Sequence, residues 1–221
     1  MKVSLLAITK PVRDGIDTPE QLLAYCARVS STANQMNHAS GPKLLRFLMK
    51  RKEWSPLEMV NLVMEIEVER DIARQILRHQ FKFQEFSQRY ARVLSRFTRR
   101  RARLQDHKDR QNSIETDALH IQLSWSVGQW LVATVCGLVY RAALRLGIAK
   151  EVARSVLPEG MTMSRMYVNG YLRNWIHFCE ARCDGKTQKE HRDVAFAVKA
   201  ILEEQFPALK GLIAISEGAK V

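Results

Sequence analysis

Apolar and polar positions along the chain change their period several times, and each change marks an element. Lys2 to Thr9 is apolar and β-branched enough for a first strand, and Pro11 to Gly15 breaks it. Thr18 then suits an N-cap and Pro19 a first helical turn, with Leu22, Leu23, Cys26 and Ala27 recurring on one face of the helix that follows. A second helix is expected over Lys43 to Lys52, after the Gly41-Pro42 break. Ser55-Pro56-Leu57-Glu58 has the capping pattern of Ser followed three residues later by Glu, and a strand-like run extends from Val60 to Val68. Asp71 to His79 reads as a short amphipathic helix with Ile72, Ile76 and His79 along one stripe, which would set Gln75, Arg78 and His79 on adjacent faces. Thr116 to Leu146 forms one long helix in this reading, and Lys150 to Val156 a shorter one stopped at Pro158. Arg165 to Asn169 is a strand before Gly170, and helices return over Leu172 to Arg182 and Lys186 to Phe206. The mixture predicts an α/β (α+β) fold in a single domain over residues 1–221, with no internal repeat.

Charge narrows the partners. Thirty-five Lys and Arg against 23 Asp and Glu give a formal net charge of +12, which favours phosphorylated or polyanionic ligands. The densest basic run, from Arg89 to Arg110, contains Arg92, Arg96, Arg99, Arg100, Arg101 and Arg103 against only Asp106 and Asp109. It is either a track for a nucleic-acid backbone or a solvated loop or subunit contact, the second being the commoner fate of such runs. Residues 118–140 hold no Asp, Glu, Lys or Arg, yet His120, Gln122, Ser124, Ser126, Gln129 and Thr134 interrupt the apolar surface. A buried helix, packed between subunits, is preferred to a membrane span. Cys26, Cys136, Cys179 and Cys183 are too few and scattered for a disulfide framework, and no second ligand pair accompanies Cys179, Cys183 and His177, so no metal is expected. No charged leader with an apolar stretch opens the chain, and a cytoplasmic setting is expected.

The chemistry concentrates between Arg78 and Tyr90, in Arg-His-Gln-Phe-Lys-Phe-Gln-Glu-Phe-Ser-Gln-Arg-Tyr. An arginine fork binds a phosphate or a pyrimidine edge through two hydrogen bonds, and Ser87 with nearby backbone amides completes a phosphate cradle. Phe81, Phe83 and Phe86 alternate with polar residues that a strand would aim at a pocket. The segment reads as a nucleotide site.

Gln75 through Tyr90 also resembles the signature of the flavin-dependent thymidylate synthases, an Arg-His-Arg followed after seven residues by Ser and then Arg. Ala27-Arg28-Val29-Ser30, Trp54-Ser55-Pro56-Leu57-Glu58, Arg103-Leu104-Gln105-Asp106-His107, Ala153-Arg154-Ser155-Val156-Leu157-Pro158 and Arg173-Asn174-Trp175-Ile176-His177 with Arg182 look like family blocks in family order. The resemblance implies a central, mostly antiparallel sheet flanked by helices, in a homotetramer with active sites between subunits. It implies C5 methylation of dUMP with reduced FAD as hydride donor, and with NADPH and methylenetetrahydrofolate as co-substrates. By position, Gln75, Arg78, Glu85, Ser87, Gln88, Arg89, Arg154 and Arg182 look like the nucleotide set, with Ser87 and Arg89 on the phosphate and Ser87 and Arg182 in catalytic roles. Ser30, Ser55, Glu58, Arg78, His79, Gln80, Arg173 and His177 look like flavin contacts.

Two departures bear on the outcome. Gln80 replaces the third basic residue of the signature, and six residues rather than seven separate it from Ser87. Glu53 stands where relatives often carry histidine, and a lone carboxylate there would repel anionic cofactors. The leading reading is methylation of a pyrimidine deoxynucleoside monophosphate. Hydroxymethylation of dUMP or dCMP, with water quenching the shared intermediate, stays open beside it, as does a nucleic-acid-binding module on a degenerate scaffold.

Overall fold

Strands β1 (Lys2–Ile8) and β2 (Asn61–Glu69) form where the period is two. In β2 the residues Leu62, Met64, Ile66 and Val68 are buried and their neighbours are partly exposed, the alternation of a strand with one covered face. The computed structural model describes residues 1–93 and 97–215, so Arg96 of the basic run lies outside the described residues. With β3 (Lys82–Glu85) and β6 (Met163–Tyr171), the first two strands make a four-stranded sheet in the order β1-β2-β6-β3. Helices accompany the sheet as the α+β reading required.

The chain divides into two compact units. One comprises Lys2–Ile66, Leu77–Phe83 and the chain from Tyr167 on. Its helix α1 (Pro19–Ala27) begins with the expected cap: Gln21 N donates to Thr18 Oγ1 at 3.2 Å, and Gln21 Oε1 accepts from Thr18 N at 3.2 Å. Helix α2 (Gly41–Arg51) stops at Lys52, the one non-glycine residue of positive φ (58°) among the described residues. Ser55 does not cap a helix. Residues Ser55–Met59 make a 3₁₀ turn that runs into β2, so there is no helical end to satisfy, and Glu58 is bound by Arg173 instead. Helices α6 (Leu172–Arg182) and α7 (Lys189–Gln205) pack on each other and bury Trp175, Phe178, Val194, Val198 and Leu202 completely.

The second unit comprises Met1, Glu67–Ile76 and Gln84–Met166. Helix α3 (Arg70–Ile76) ends earlier than the stripe ending at His79 indicated, so Arg78 and His79 fall in the turn before β3 rather than on the helix. The turn is tight, with Phe81 N donating to His79 O at 2.8 Å. The basic run is not a loop throughout: β4 (Arg103–Gln105) pairs antiparallel with β5 (Ser113–Glu115), placing Leu104 opposite Ile114. Asp106 closes that hairpin by accepting from Lys108 N, Asp109 N and Asn112 Nδ2.

Within the single chain, only Gln129, Gly137 and Tyr140 of helix α4 (Leu119–Arg145) are buried, so any burial of the rest of the helix has to come from outside this chain. Of its polar interruptions, Gln122 and Gln129 face the protein, whereas His120, Ser124 and Ser126 are exposed. Gln129 clasps the backbone N and O of Arg100 at 2.8 and 2.9 Å, and Gln122 does the same for Ala102 at 3.0 and 2.9 Å. These side chains pair with main-chain groups that have no other strand to satisfy them. The apolar residues are left facing out, with Trp130 56% and Leu131 55% exposed. The helix is long and apolar enough, by length and composition, to cross a membrane. A short α5 (Lys150–Ala153) and a 3₁₀ turn to Val156 follow.

Candidate active site

In the second unit, α3 projects Arg70 and Arg74 from one side, one turn apart. Both reach Glu85, at the end of β3. Arg70 Nη1 lies 3.2 Å from Glu85 Oε1, Arg74 Nη1 lies 3.5 Å from Oε2, and Ser164 Oγ donates to Oε1 at 2.7 Å. Arg70 is buried, and this desolvation lowers its pKa while the Glu85 charge opposes the shift. A cavity of about 390 Å³ opens here, lined by Arg70, Arg74, Gln88, Glu151, Arg154, Ser155, Leu157 and Glu159. Gln88 is 4% exposed, and its Nε2 has no hydrogen-bond partner. A buried amide donor left unpaired costs roughly 1–3 kcal/mol, so the Gln88 amide calls for an oxygen acceptor beside three arginines, of which Arg70 and Arg74 are already paired with Glu85 and Arg74 also with Glu159 at 3.7 Å.

The structure gathers Gln88 and Arg154 into this cavity, with Glu85 beside it. Ser87 and Arg89 stand outside the lining. Ser87 O accepts from Tyr90 N and Ala91 N in a turn, and Arg89 Nε pairs with Glu151 at 3.0 Å. Gln75 is half-buried on α3. Arg70 and Arg74 were not singled out from the sequence, although their spacing of four on a helix was a readable signal.

In the first unit, His79 Nε2 accepts from Arg182 Nε at 3.0 Å, which leaves the ring proton on Nδ1. Burial, aided by the Arg182 charge, lowers the His79 pKa to about 4. Its ring stands edge-on to Phe178 at 4.9 Å and 6.0 Å from His191, which burial pushes down to about 3, with Arg182 and then His79 adding to the shift. His177 packs edge-on against Trp54 at 4.5 Å, and burial and then Arg173 lower its pKa as well.

A cavity of about 500 Å³ lies in the same unit, lined by Glu58, Asn61, Gln80, Phe81, Lys82, Asn169, Gly170, Tyr171 and Asn174. Phe81 stacks on Trp175 at 4.2 Å and lies so close to the strand that a Cβ on Gly170 would overlap its ring. The Oδ1 atoms of Asn61 and Asn169 are buried without a partner. Two orphaned carboxamide acceptors beside an aromatic wall fit a flat heterocycle with an imide N–H and carbonyl edge, which is what a flavin ring presents. Of the expected flavin contacts, Glu58 and Gln80 line this cavity. Arg173 holds Glu58, while Arg78, Ser30 and Ser55 stand away from the lining. Asn61 and Asn169 stand out in the sequence only as strand positions, and Asn174 only within the Arg173 to His177 block.

The family model described as "Thymidylate synthase complementing protein" matches residues 12–208. The chain belongs to this family. Its sequence is 43% identical over 210 residues to the "Probable flavin-dependent thymidylate synthase" of Paramecium bursaria Chlorella virus 1, covering 95% of this chain and 97% of that protein. It is 45% identical over 213 residues to the "Flavin-dependent thymidylate synthase" of Synechocystis sp., with 95% and 97% covered. Among solved structures, the UMP/dUMP methylase PolB from Streptomyces cacaoi, bound with 5-Br dUMP, superposes with a TM-score of 0.79 over 99% of this chain and 96% of that one. At 23% identity, that likeness shows the shared fold.

Within this family the two departures carry different weights. Gln80 is exposed at the rim of the 500 Å³ cavity, so a neutral amide stands where the signature has a cation. Glu53 is no lone carboxylate, since Arg51 Nε binds its Oε1 at 2.8 Å. The expected repulsion of anionic cofactors by Glu53 is therefore largely cancelled by its neighbour.

Proposed function

We propose that this chain methylates C5 of a pyrimidine deoxynucleoside monophosphate, dUMP, in a flavin-dependent reaction. The carrying observation is the cavity in which Arg70, Arg74 and Arg154 surround the unpaired Gln88 amide. Its arginines suit the phosphate, and the Gln88 amide suits a ring oxygen. C5 of uracil is a weak nucleophile, and donors placed at the ring oxygens stabilise the negative charge that develops as C5 attacks carbon. Glu85 keeps Arg70 and Arg74 from folding back onto solvent, and Ser164 fixes Glu85 in turn. Asn61, Asn169, Asn174 and Gln80 would hold the flavin ring. Reduced FAD, when bound, supplies the hydride. Burial, with Arg182 adding to it, keeps His79 neutral, and the Arg182 bond to Nε2 leaves its proton on Nδ1, ready to donate a hydrogen bond.

The rest of the reading extends the family resemblance. Methylenetetrahydrofolate is the one-carbon donor and NADPH the reductant. The assembly is a homotetramer, supported by the outward apolar face of α4, whose burial against other copies would remove Trp125, Trp130 and Leu131 from water. Four free cysteines favour a reducing, cytoplasmic setting. The nucleic-acid alternative is weakened where two arginines of the basic run have acidic partners: Arg100 binds Asp71 at 2.6 and 2.7 Å, and Arg101 binds Asp117 at 2.7 Å. Hydroxymethylation keeps one specific support, the neutral Gln80. Incubating the protein with FAD, NADPH and methylenetetrahydrofolate, offering dUMP and dCMP separately, decides by mass spectrometry. A methyl group on dUMP is expected. A hydroxymethyl product selects the second reading, and a folded protein that neither retains flavin nor alters either nucleotide refutes both.

A further inference from the structure

A cavity of about 420 Å³ in the second unit shares only Leu157 with the cavity around Gln88. Arg92, Arg141 and Arg145 line it without any Asp or Glu, whereas Glu151 and Glu159 line the Gln88 cavity. Among the described residues, none of these three arginines is held in a salt bridge. Other arginines of the same unit do find carboxylates: Arg70 on Glu85, Arg89 on Glu151, Arg100 on Asp71 and Arg165 on Glu67. Three uncompensated guanidiniums around one hollow therefore set this place apart from the rest of the unit.

The hollow is built by packing and hydrogen bonds. Gly137, Tyr140, Arg141, Leu144 and Arg145 fall at steps of three and four on α4, so one stripe of that helix forms its floor. Val93, Phe97 and Leu157 add an apolar wall. The chain that follows Gln88 is tied down beside it, with Val93 N donating to Tyr140 Oη at 3.1 Å and Lys150 Nζ donating to Tyr90 O at 2.8 Å. Gly137 has a part of its own. A Cβ there would stand 3.3 Å from both Arg141 Nη1 and Phe97 Cε2, so the glycine makes room for the guanidinium to fold back along its own helix beside the phenyl ring. Glycine inside a helix is less favourable than alanine, and what it provides here is a cation held over the floor of the cavity.

We infer that this cavity is a second anion site, which takes a di- or triphosphate chain across Arg92, Arg141 and Arg145. Guanidinium forks bind phosphate oxygens two at a time, and three unpaired positive charges match a short phosphate chain better than a single carboxylate. Such a chain arrives either free or attached to a nucleoside. The apolar wall of Phe97, Leu144 and Leu157 favours the second source, because a bare inorganic chain has nothing to place there. The site lies outside the methylation reading and does not depend on it.

The test is magnesium-free calorimetric titration of the full chain with ATP and, separately, with inorganic tripolyphosphate, at low and moderate salt. Saturating dUMP and FAD are present throughout, so that the probes do not report on the cavities assigned to those ligands. ATP should bind the more tightly of the two, and equal affinities would identify the free chain as the ligand of the same site. Each exposed charge removed should weaken binding about two- to fivefold, so the double variant Arg141→Gln, Arg145→Gln should bind roughly tenfold less tightly at low salt, with a shallower salt dependence. A second double variant, Lys108→Gln, Arg110→Gln, removes the same charge from the exposed β4–β5 hairpin and should bind both probes as the wild type does. A wild type that binds neither probe overturns the inference, as do unchanged affinities in the folded Arg141, Arg145 variant. An equal loss in the hairpin variant overturns it too, because binding would then follow the overall charge of the chain and not this cavity.

Discussion

Acidification should destabilise this protein through its buried imidazoles, His191 above all. His191 is 1% exposed against Phe178 and His79, and burial pushes its pKa from an ordinary 6.5 to about 3. Because the folded value is the lower one, the unfolded chain binds the proton first as pH falls. The stabilisation is therefore complete above about pH 6.5 and is lost progressively from there down towards pH 3. Between pH 7.5 and 5, one such group costs about 2 kcal/mol, with a limiting slope of about 1.4 kcal/mol per pH unit. His79, held near 4, acts in the same direction but is half-exposed, so solvent screening reduces its share. The assay is urea unfolding at fixed protein concentration from pH 7.5 to 5, for wild type and His191→Phe. The variant forfeits any polar contact of the ring and shifts the whole curve, so the slope is the informative quantity. It should flatten by more than about half a kcal/mol per pH unit near pH 5.5, an order-of-magnitude expectation from the same linkage. An unchanged slope would refute the claim that His191 is buried neutral.

Three further outcomes follow from the geometry. Gly170→Ala should cost about 1–3 kcal/mol, because the new Cβ overlaps Phe81 and strains its stack on Trp175; a lowered thermal midpoint together with weaker flavin retention checks it. Gln88→Leu keeps the bulk but removes the buried donor, and should raise KM for dUMP by roughly tenfold, the worth of one hydrogen bond to a polar ligand, with the fold intact by circular dichroism. The double change Leu131→Glu, Val135→Glu, on the outward face of α4, should leave the helix folded but yield smaller species in light scattering; an unchanged mass would exclude that face as the subunit contact.

Local periodicity carried much of the architecture. The two-residue alternation of β2, the capping box at Thr18 and the long helix over 119–145 follow from interactions within a few residues, so each could be read along the chain. The Ser55 capping pattern failed because a cap needs a helix behind it, and Pro56 leads into a turn and a strand instead. Sequence reading concentrated the candidate chemistry in the Arg78 to Tyr90 segment, whereas the cavity took only Gln88 from it and Arg89 pairs with Glu151. Only the tertiary structure joined Arg70 and Arg74 to Arg154, or Arg182 to His79 across 103 positions of sequence. It alone decided that Gln122 and Gln129 of α4 point inward and Trp130 and Leu131 outward. No spacing rule encodes these choices, because they depend on which backbone groups and charges elsewhere in the chain remain to be satisfied once the elements pack.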